Sequence, residues 1–530
     1  MPARPRLSFA WQALFVWVVF VLYAGTFSGF SDGRILGNDA IPYAVELSAG
    51  APHANPHHLL FHPVARLVLI LLAPFGHASF PLRSSLGLAM TAQVLVSALG
   101  GALAAWFFLS AARRSLGAGW RRQLAALALT LLLVFSAGHW LYASVGETYL
   151  PAIAAETALL GLALRERLSH GPRPRALWLV VALLVAVLLR QDSVLVVLPL
   201  ALLLEPRRAS LVVGTAGGLA LGTYALARGL GGTEEGFSMW LRGLANSGLW
   251  GAPLSSQGIA VAGGLTLTAL GYPLWYACQA WLRGELTGAL PALLLGTAPW
   301  LLLVLAPLLT ERADPTPEAR GRKRALAALL AFAGLRFLFF AWWQPGNMEY
   351  HTGTLTPLAL ALAIWLGGRR LTLRPALALG AAALLVLVGN LQFLIGPNQA
   401  RDMHERATEA LAAAGPGGLV LSLDELGHYA LVRAHDTQPG AHPPRVLDAS
   451  AVASGGNLTR LAELRAAIEA TLARGGRVVA ARDLVLPARF EHPPWPLDWS
   501  DAEHTGGMNQ LIAGHEAAPA EPGAWLWLLN

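Results

Sequence analysis

The sequence is short of charge and of cysteine. Of its 530 residues only 13% are Asp, Glu, Lys or Arg, about half the roughly 25% usual in a soluble domain, while 55% are hydrophobic. So little polar surface excludes an ordinary water-soluble protein. The single cysteine, Cys278, lies in an apolar stretch, which excludes an intrachain disulfide, a cysteine-rich zinc site and an iron–sulfur cluster. Internal repeats of solenoid length are absent. The net charge of +7 is not carried by a basic helix with interleaved aromatic side chains, so nucleic acid is excluded as a partner.

Long apolar runs are what the chain has in excess. Candidate spanning segments lie near 9–28, 86–110, 122–141, 148–167, 176–190, 193–204, 209–228, 259–281, 287–310, 325–343, 353–368 and 374–396. Hydrocarbon offers no hydrogen bond to a bare peptide group, so these segments must be helices. The expected class is a polytopic α-helical membrane protein of about 11 to 13 spans. The run from Phe9 to Phe27, preceded by Arg4 and Arg6, is too long for a typical cleaved signal core and is expected to be retained as the first span.

Charge gives the orientation. Residues up to 396 hold 28 Lys and Arg against 15 Asp and Glu, and the remainder holds 10 against 16. Basic clusters at Arg113, Arg114, Arg121 and Arg122, at Arg165, Arg167, Arg173 and Arg175, at Arg207 and Arg208, at 320–324 and at Arg369, Arg370 and Arg374 mark the cytoplasmic side. The acid-bearing loops 29–57, 138–150 and 344–352 then face outward, and 58–75 dips into the interface without crossing. An odd number of spans places the C-terminal domain outside as well. The domains are expected to be 1–398, spanning the membrane with a first outside loop over 29–85, and 399–530, a small soluble α/β domain. In the latter, 419–423 and 477–481 read as buried strands, and 458–473 sets Leu458, Leu461, Leu464, Ile468 and Leu472 on one helical face, with Asn457 as N-cap and Gly475 just past its end.

Chemistry-bearing residues gather in the outward loops. Asp39, just beyond the first span, stands where a lipid headgroup would meet a water-soluble acceptor, and could be a general base or the cap of a juxtamembrane helix. His53, His57, His58 and His62 follow it; imidazoles one turn apart could share a divalent metal, but no carboxylate accompanies them at fixed spacing, and hydrogen bonding to phosphate or sugar hydroxyls, or an interfacial helix, accounts for them better. Arg190, Gln191 and Asp192 interrupt the apolar run 176–204. Charged groups at that depth must pair or face a cavity; a short hairpin exposing Arg190 outside is the simplest arrangement, with Arg190 holding a lipid-linked phosphate and Asp192 orienting it, or the two simply pairing at a turn. Glu147 with Tyr149, and Asn347 with Glu349 and Tyr350, add a carboxylate and a tyrosine each, suited to sugar hydroxyls and equally to an interfacial aromatic belt.

Taken in order, Asp39 two residues past Gly37, the stretch 55–63 (Asn-Pro-His-His-Leu-Leu-Phe-His-Pro), Glu147-Thr148-Tyr149, Arg190-Gln191-Asp192 and 345–350 (Pro-Gly-Asn-Met-Glu-Tyr) resemble the GT-C class of integral-membrane glycosyltransferases, in particular the bacterial protein O-mannosyltransferase and aminoarabinose-transferase group. The resemblance covers roughly 9–396. It implies a sugar donor carried on polyprenyl phosphate, a glycan, lipid or protein acceptor, inversion at the anomeric carbon with Asp39 as base, and residence in the bacterial inner membrane with the active face extracytoplasmic. Arg190 with His57 or His58 would stabilise the leaving phosphate. Asn38 and Ala40 flank Asp39, where many members carry a second acid. Two other classes remain open: a transporter or flippase of lipid-linked glycans, for which repeats and charges at the bilayer midplane are expected, and a non-catalytic partner in envelope polysaccharide assembly.

Overall fold

The computed structural model describes residues 9–26, 43, 44, 47, 58–75, 85–168, 173–231, 254–274, 277, 286–312, 319–343, 348–394, 403–422, 444–448, 458–481, 517–519 and 526–529. Cys278, Asp39, His57, Asn347 and Asn457 lie outside the described residues. The chain divides into two compact units, one drawn from Met1–Gly29 and Tyr43–Gly396 and the other containing Pro397–Asn530.

The first unit is a bundle of helices: α1 (Phe9–Thr26), α2 (Phe61–Leu72), α3 (Ser85–Leu116), α4 (Trp120–Val134), α5 (Ala137–Ala143), α6 (Tyr149–Arg167), α7 (Ala176–Leu189), α8 (Val197–Leu203), α9 (Pro206–Gly231), α10 (Ser256–Leu270), α11 (Leu286–Leu308), α12 (Ala319–Trp343), α13 (Met348–Gly367) and α14 (Leu373–Leu394). Most expected apolar segments coincide with helix; of 259–281 the helix covers the part to Leu270, and much of the remainder lies outside the described residues. Among the described residues five helices are long and apolar enough to cross a membrane, with α4 and α5 as a bent sixth. Side chains such as Trp17, Leu294, Leu301, Val304 and Leu308, the last 73% exposed, project from the outside of the bundle. So many large apolar groups facing out suits hydrocarbon and not water.

The core is made by small residues letting helices touch. A Cβ on Gly100 of α3 would meet the backbone nitrogen of Pro151 in α6 at 2.5 Å, and one on Gly101 would meet Tyr23 and Ala143. Glycine is therefore what permits the α3–α6 contact, and membrane bundles commonly pack this way.

Two expected spans are interrupted. Segment 122–141 bends by 61° between α4 and α5, and 193–204 is a 3₁₀ turn (Gln191–Val196) followed by the seven residues of α8, too short to cross. A helix that stops inside a bundle frees carbonyls with no water to take them, and these must find other donors. At the bend, the Tyr23 hydroxyl donates to Val134 O at 2.9 Å, Asn390 Nδ2 donates to Phe135 O at 2.6 Å, and Ser136 Oγ donates to Leu133 O at 2.7 Å. At the end of α7, Tyr224 donates to Val187 O at 3.1 Å, the Leu60 amide to Leu188 O at 3.0 Å, and His58 Nδ1 lies 3.3 Å from Leu189 O.

The basic clusters meet at one end. Arg322 donates to Ser115 O at 2.8 Å, Arg122 to Leu116 O at 2.7 Å, and the short strands β1 (Glu311–Arg312) and β2 (Arg369–Arg370) pair antiparallel. Helix α12 carries the chain from this end, and α13 brings it back.

In the second unit, α15 (Met403–Ala414) and α16 (Leu458–Ala473) accompany a five-stranded sheet of β3 (Leu419–Ser422), β4 (Arg445–Asp448), β5 (Val478–Ala481), β6 (Ala517–Pro519) and β7 (Leu526–Leu529), in the order β4-β3-β5-β7-β6. The first three strands are parallel and the last two antiparallel. Leu464 and Ile468 of α16 are fully buried, and Gly475, at φ +72°, ends that helix and feeds β5, the left-handed position that glycine takes without strain.

Candidate active site

Arg190 is the centre of the site. Its backbone is extended (φ −154°, ψ 128°) because α7 ends at Leu189 and the 3₁₀ turn begins at Gln191. The side chain is 5% exposed, so the expected exposed hairpin is not what forms: the arginine is turned into the bundle, where α6 and α13 supply its neighbours. The guanidinium lies 3.7 Å from the centroid of the Tyr149 ring and 5.4 Å from that of Tyr350, an attraction between cation and ring faces that strengthens away from water. Its Nε donates to Asp192 Oδ1 at 2.7 Å, and Nη1 reaches Thr148 Oγ1 at 3.4 Å.

The two loops expected to face outward converge on this arginine. Tyr149 and Tyr350 meet edge to face at 5.7 Å, and Tyr142 joins Tyr149 at 5.6 Å. Glu349 stands in the first turn of α13 and Glu147 just before α6, and both side chains are buried. Ser97 fixes the Glu147 turn: its Oγ donates to Glu147 O at 2.6 Å and accepts from the Glu147 amide at 3.0 Å. Tyr350 is backed by Phe340, stacked at 4.8 Å.

Gln191 does not join this group; its Nε2 is buried without a hydrogen-bond partner among the described residues. His58 and His62, both buried, set their rings edge-on to Tyr43 at 5.6 and 4.6 Å. His58 is linked to the site by its approach to Leu189 O, the carbonyl next to Arg190. Among the described residues no three metal-ligating side chains converge.

Sequence reasoning missed a second ion pair below the first. Arg336 of α12, 2% exposed, donates through Nη1 to both oxygens of Glu156 at 2.9 Å. Ser193 donates to Glu156 Oε1 at 2.7 Å, and Arg336 Nη2 lies 3.7 Å from Asp192 Oδ2. The signal was available: Glu156 and Arg336 are ionisable residues inside apolar segments, which marks a functional region by default.

Comparison with known proteins gives the fold. No protein-family profile matches the chain, and no curated protein resembles it significantly in sequence. Solved structures do. ArnT from Cupriavidus metallidurans bound to undecaprenyl phosphate superposes with a TM-score of 0.51 at 14% identity, over 90% of this chain and 94% of that one. The same protein in the apo state gives 0.52 at 15% identity, with the same coverage. The Archaeoglobus fulgidus oligosaccharyltransferase in complex with Zn and sulfate gives 0.50 at 14% identity, over 88% of this chain and 68% of that one. The chain has the fold of the GT-C class of membrane glycosyltransferases, and with it the architecture of a multi-pass membrane protein.

Proposed function

We propose that the protein is an extracytoplasmic glycosyltransferase that moves a sugar from a polyprenyl-phosphate donor to an acceptor hydroxyl on a glycan, lipid or protein. The observation that carries this reading is Arg190, a permanent cation held buried between Tyr149 and Tyr350. It sits in a fold shared with a protein solved with undecaprenyl phosphate bound.

The acceptor oxygen attacks the anomeric carbon from the face opposite the phosphate. As the new C–O bond forms, the bond from that carbon to the phosphate oxygen breaks, and the configuration inverts. The acceptor proton passes to Asp39, and polyprenyl phosphate leaves with the electron pair. A phosphate leaving group needs its charge stabilised more than it needs a proton, which is the part given to Arg190, with His57 or His58. Glu147, Glu349, Tyr149, Tyr350 and Asn347 are assigned to the sugar hydroxyls, Asp192 and Gln191 to holding the Arg190 corner, and His62 to the wall beside it. No metal is assigned a step.

Asp39→Asn tests the reading: the variant is expected to insert and fold with no transfer from a polyprenyl-phosphate-linked sugar in reconstituted membranes. Full activity in that variant removes Asp39 from the mechanism. The interruption of the chain at Arg190 favours a second reading, a transporter of lipid-linked glycan, since broken helices are a transporter's usual device. Movement of a labelled lipid-linked sugar across the vesicle, without its transfer, would select that reading.

A further inference from the structure

Arg336 touches both supports of Arg190. On one side its Nη2 lies 3.7 Å from Asp192 Oδ2, the carboxylate whose other oxygen accepts from Arg190 Nε at 2.7 Å. On the other its guanidinium lies 5.5 Å from the centroid of Phe340, which stacks at 4.8 Å on Tyr350, the ring facing Arg190. The backbone has made room for this. A Cβ on Gly353 would fall on the Arg336 guanidinium, 2.8 Å from its central carbon, and Gly353 lies one turn along α13 from Glu349. Glu156 and Ser193 then fix the far side of Arg336. The side chains of Arg190, Asp192, Arg336 and Glu156 run as a chain of alternating basic and acidic groups in which each is at most 6% exposed.

A buried ion pair is weak evidence for stability, because desolvation offsets its attraction. Stability therefore does not explain why a charged pair is retained here, whereas placement of Arg190 does. We infer that Glu156 and Arg336 are positioning residues for the anionic headgroup: they set the Asp192 carboxylate and the Phe340–Tyr350 stack so that Arg190 is held in place for the lipid phosphate. The inference rests on the glycosyltransferase reading and adds to it two residues that never meet the substrate.

The experiment titrates the full-length protein in lipid nanodiscs with undecaprenyl phosphate. Arg336→Met alone would strand Glu156 and could misfold, so the decisive variant is Glu156→Gln combined with Arg336→Met, which leaves no unpaired charge. It is expected to melt with the wild type yet bind undecaprenyl phosphate about tenfold more weakly, within the range for residues that act through a neighbour. Arg336→Lys, which keeps the charge and loses the fork, is expected to recover part of that loss. A folded double variant that binds as the wild type does overturns the inference. Arg190→Ala separates the two ideas. If it loses binding while the double variant keeps it, only the positioning role falls; if the wild type does not bind, or Arg190→Ala binds unchanged, the glycosyltransferase reading falls and takes this inference with it.

Discussion

The Arg190 guanidinium lies 3.7 Å from the centroid of the Tyr149 ring. That stack needs a flat cation, and the bond from Nε to Asp192 needs a donor at the base of the fork. Lysine offers neither. Arg190→Lys is therefore expected to fold and to lose about 2 kcal/mol of donor binding, roughly 30-fold in the KM for a polyprenyl-phosphate sugar. Transfer kinetics check this, and an unchanged KM would mean that the stack is only structural.

His58 sits 3.3 Å from Leu189 O, one residue before Arg190. A carbonyl stranded there costs about 1–3 kcal/mol and loosens the corner from which Arg190 projects. His58→Leu should lower both melting temperature and transfer, whereas His58→Asn, whose amide can still donate, should retain most of each. Equal loss in both variants would point to the imidazole's own chemistry.

The helices were legible in the sequence because hydrocarbon leaves an apolar run no other structure; 374–396 and the observed Leu373–Leu394 differ by two residues at most. The bend in 122–141 was not, because the groups that stabilise it are far away in the chain. Asn390 and Tyr23, which take the freed carbonyls, lie 255 and 111 residues from their partners. The same holds at the site. Arg190, Glu147 and Glu349 could be singled out as polar residues interrupting apolar runs, but the burial of Arg190 depends on Tyr149 and Tyr350, which come from separate helices. Glu156 and Arg336 were overlooked because each looks isolated until α6 and α12 are brought together.

Asn390 of α14 ties the ends of α4 and α10 together. Its Nδ2 donates to Phe135 O at 2.6 Å and Leu270 O at 3.1 Å, and its Oδ1 accepts from the Tyr272 amide at 2.9 Å. Asn390→Leu fills a similar volume and leaves all three backbone groups without that partner. At about 1–3 kcal/mol for each buried group, a loss of several kcal/mol is expected in detergent unfolding. Asn390→Gln, which keeps the chemistry, should lose less.

The glycines separate into two kinds. Gly100→Ala would drive a Cβ to 2.5 Å from the Pro151 nitrogen, whereas Gly214, Gly218 and Gly222 of α9 have nothing within 4 Å. Overpacking costs about 1–3 kcal/mol, and a glycine-to-alanine change in an open helix gains up to about 1 kcal/mol. Gly100→Ala is therefore expected to lower the melting temperature and Gly222→Ala to leave it unchanged or raise it.

The basic clusters and the tyrosine site lie at opposite ends of α12. Its first turns carry Arg320, Arg322, Lys323 and Arg324, and its last residue, Trp343, packs on Tyr350 at 5.2 Å. With 25 residues, α12 is about 37 Å long, enough to cross a bilayer core of about 30 Å. Lys and Arg collect on the cytoplasmic side, so the tyrosine site is expected to open on the far side. Ala118→Cys, in a background where Cys278 is replaced by serine, places a thiol in the exposed turn among the arginines. It should react with an impermeant reagent in inside-out membrane vesicles and stay protected in right-side-out ones. The reverse pattern would turn the site toward the cytoplasm and require a donor presented from that face.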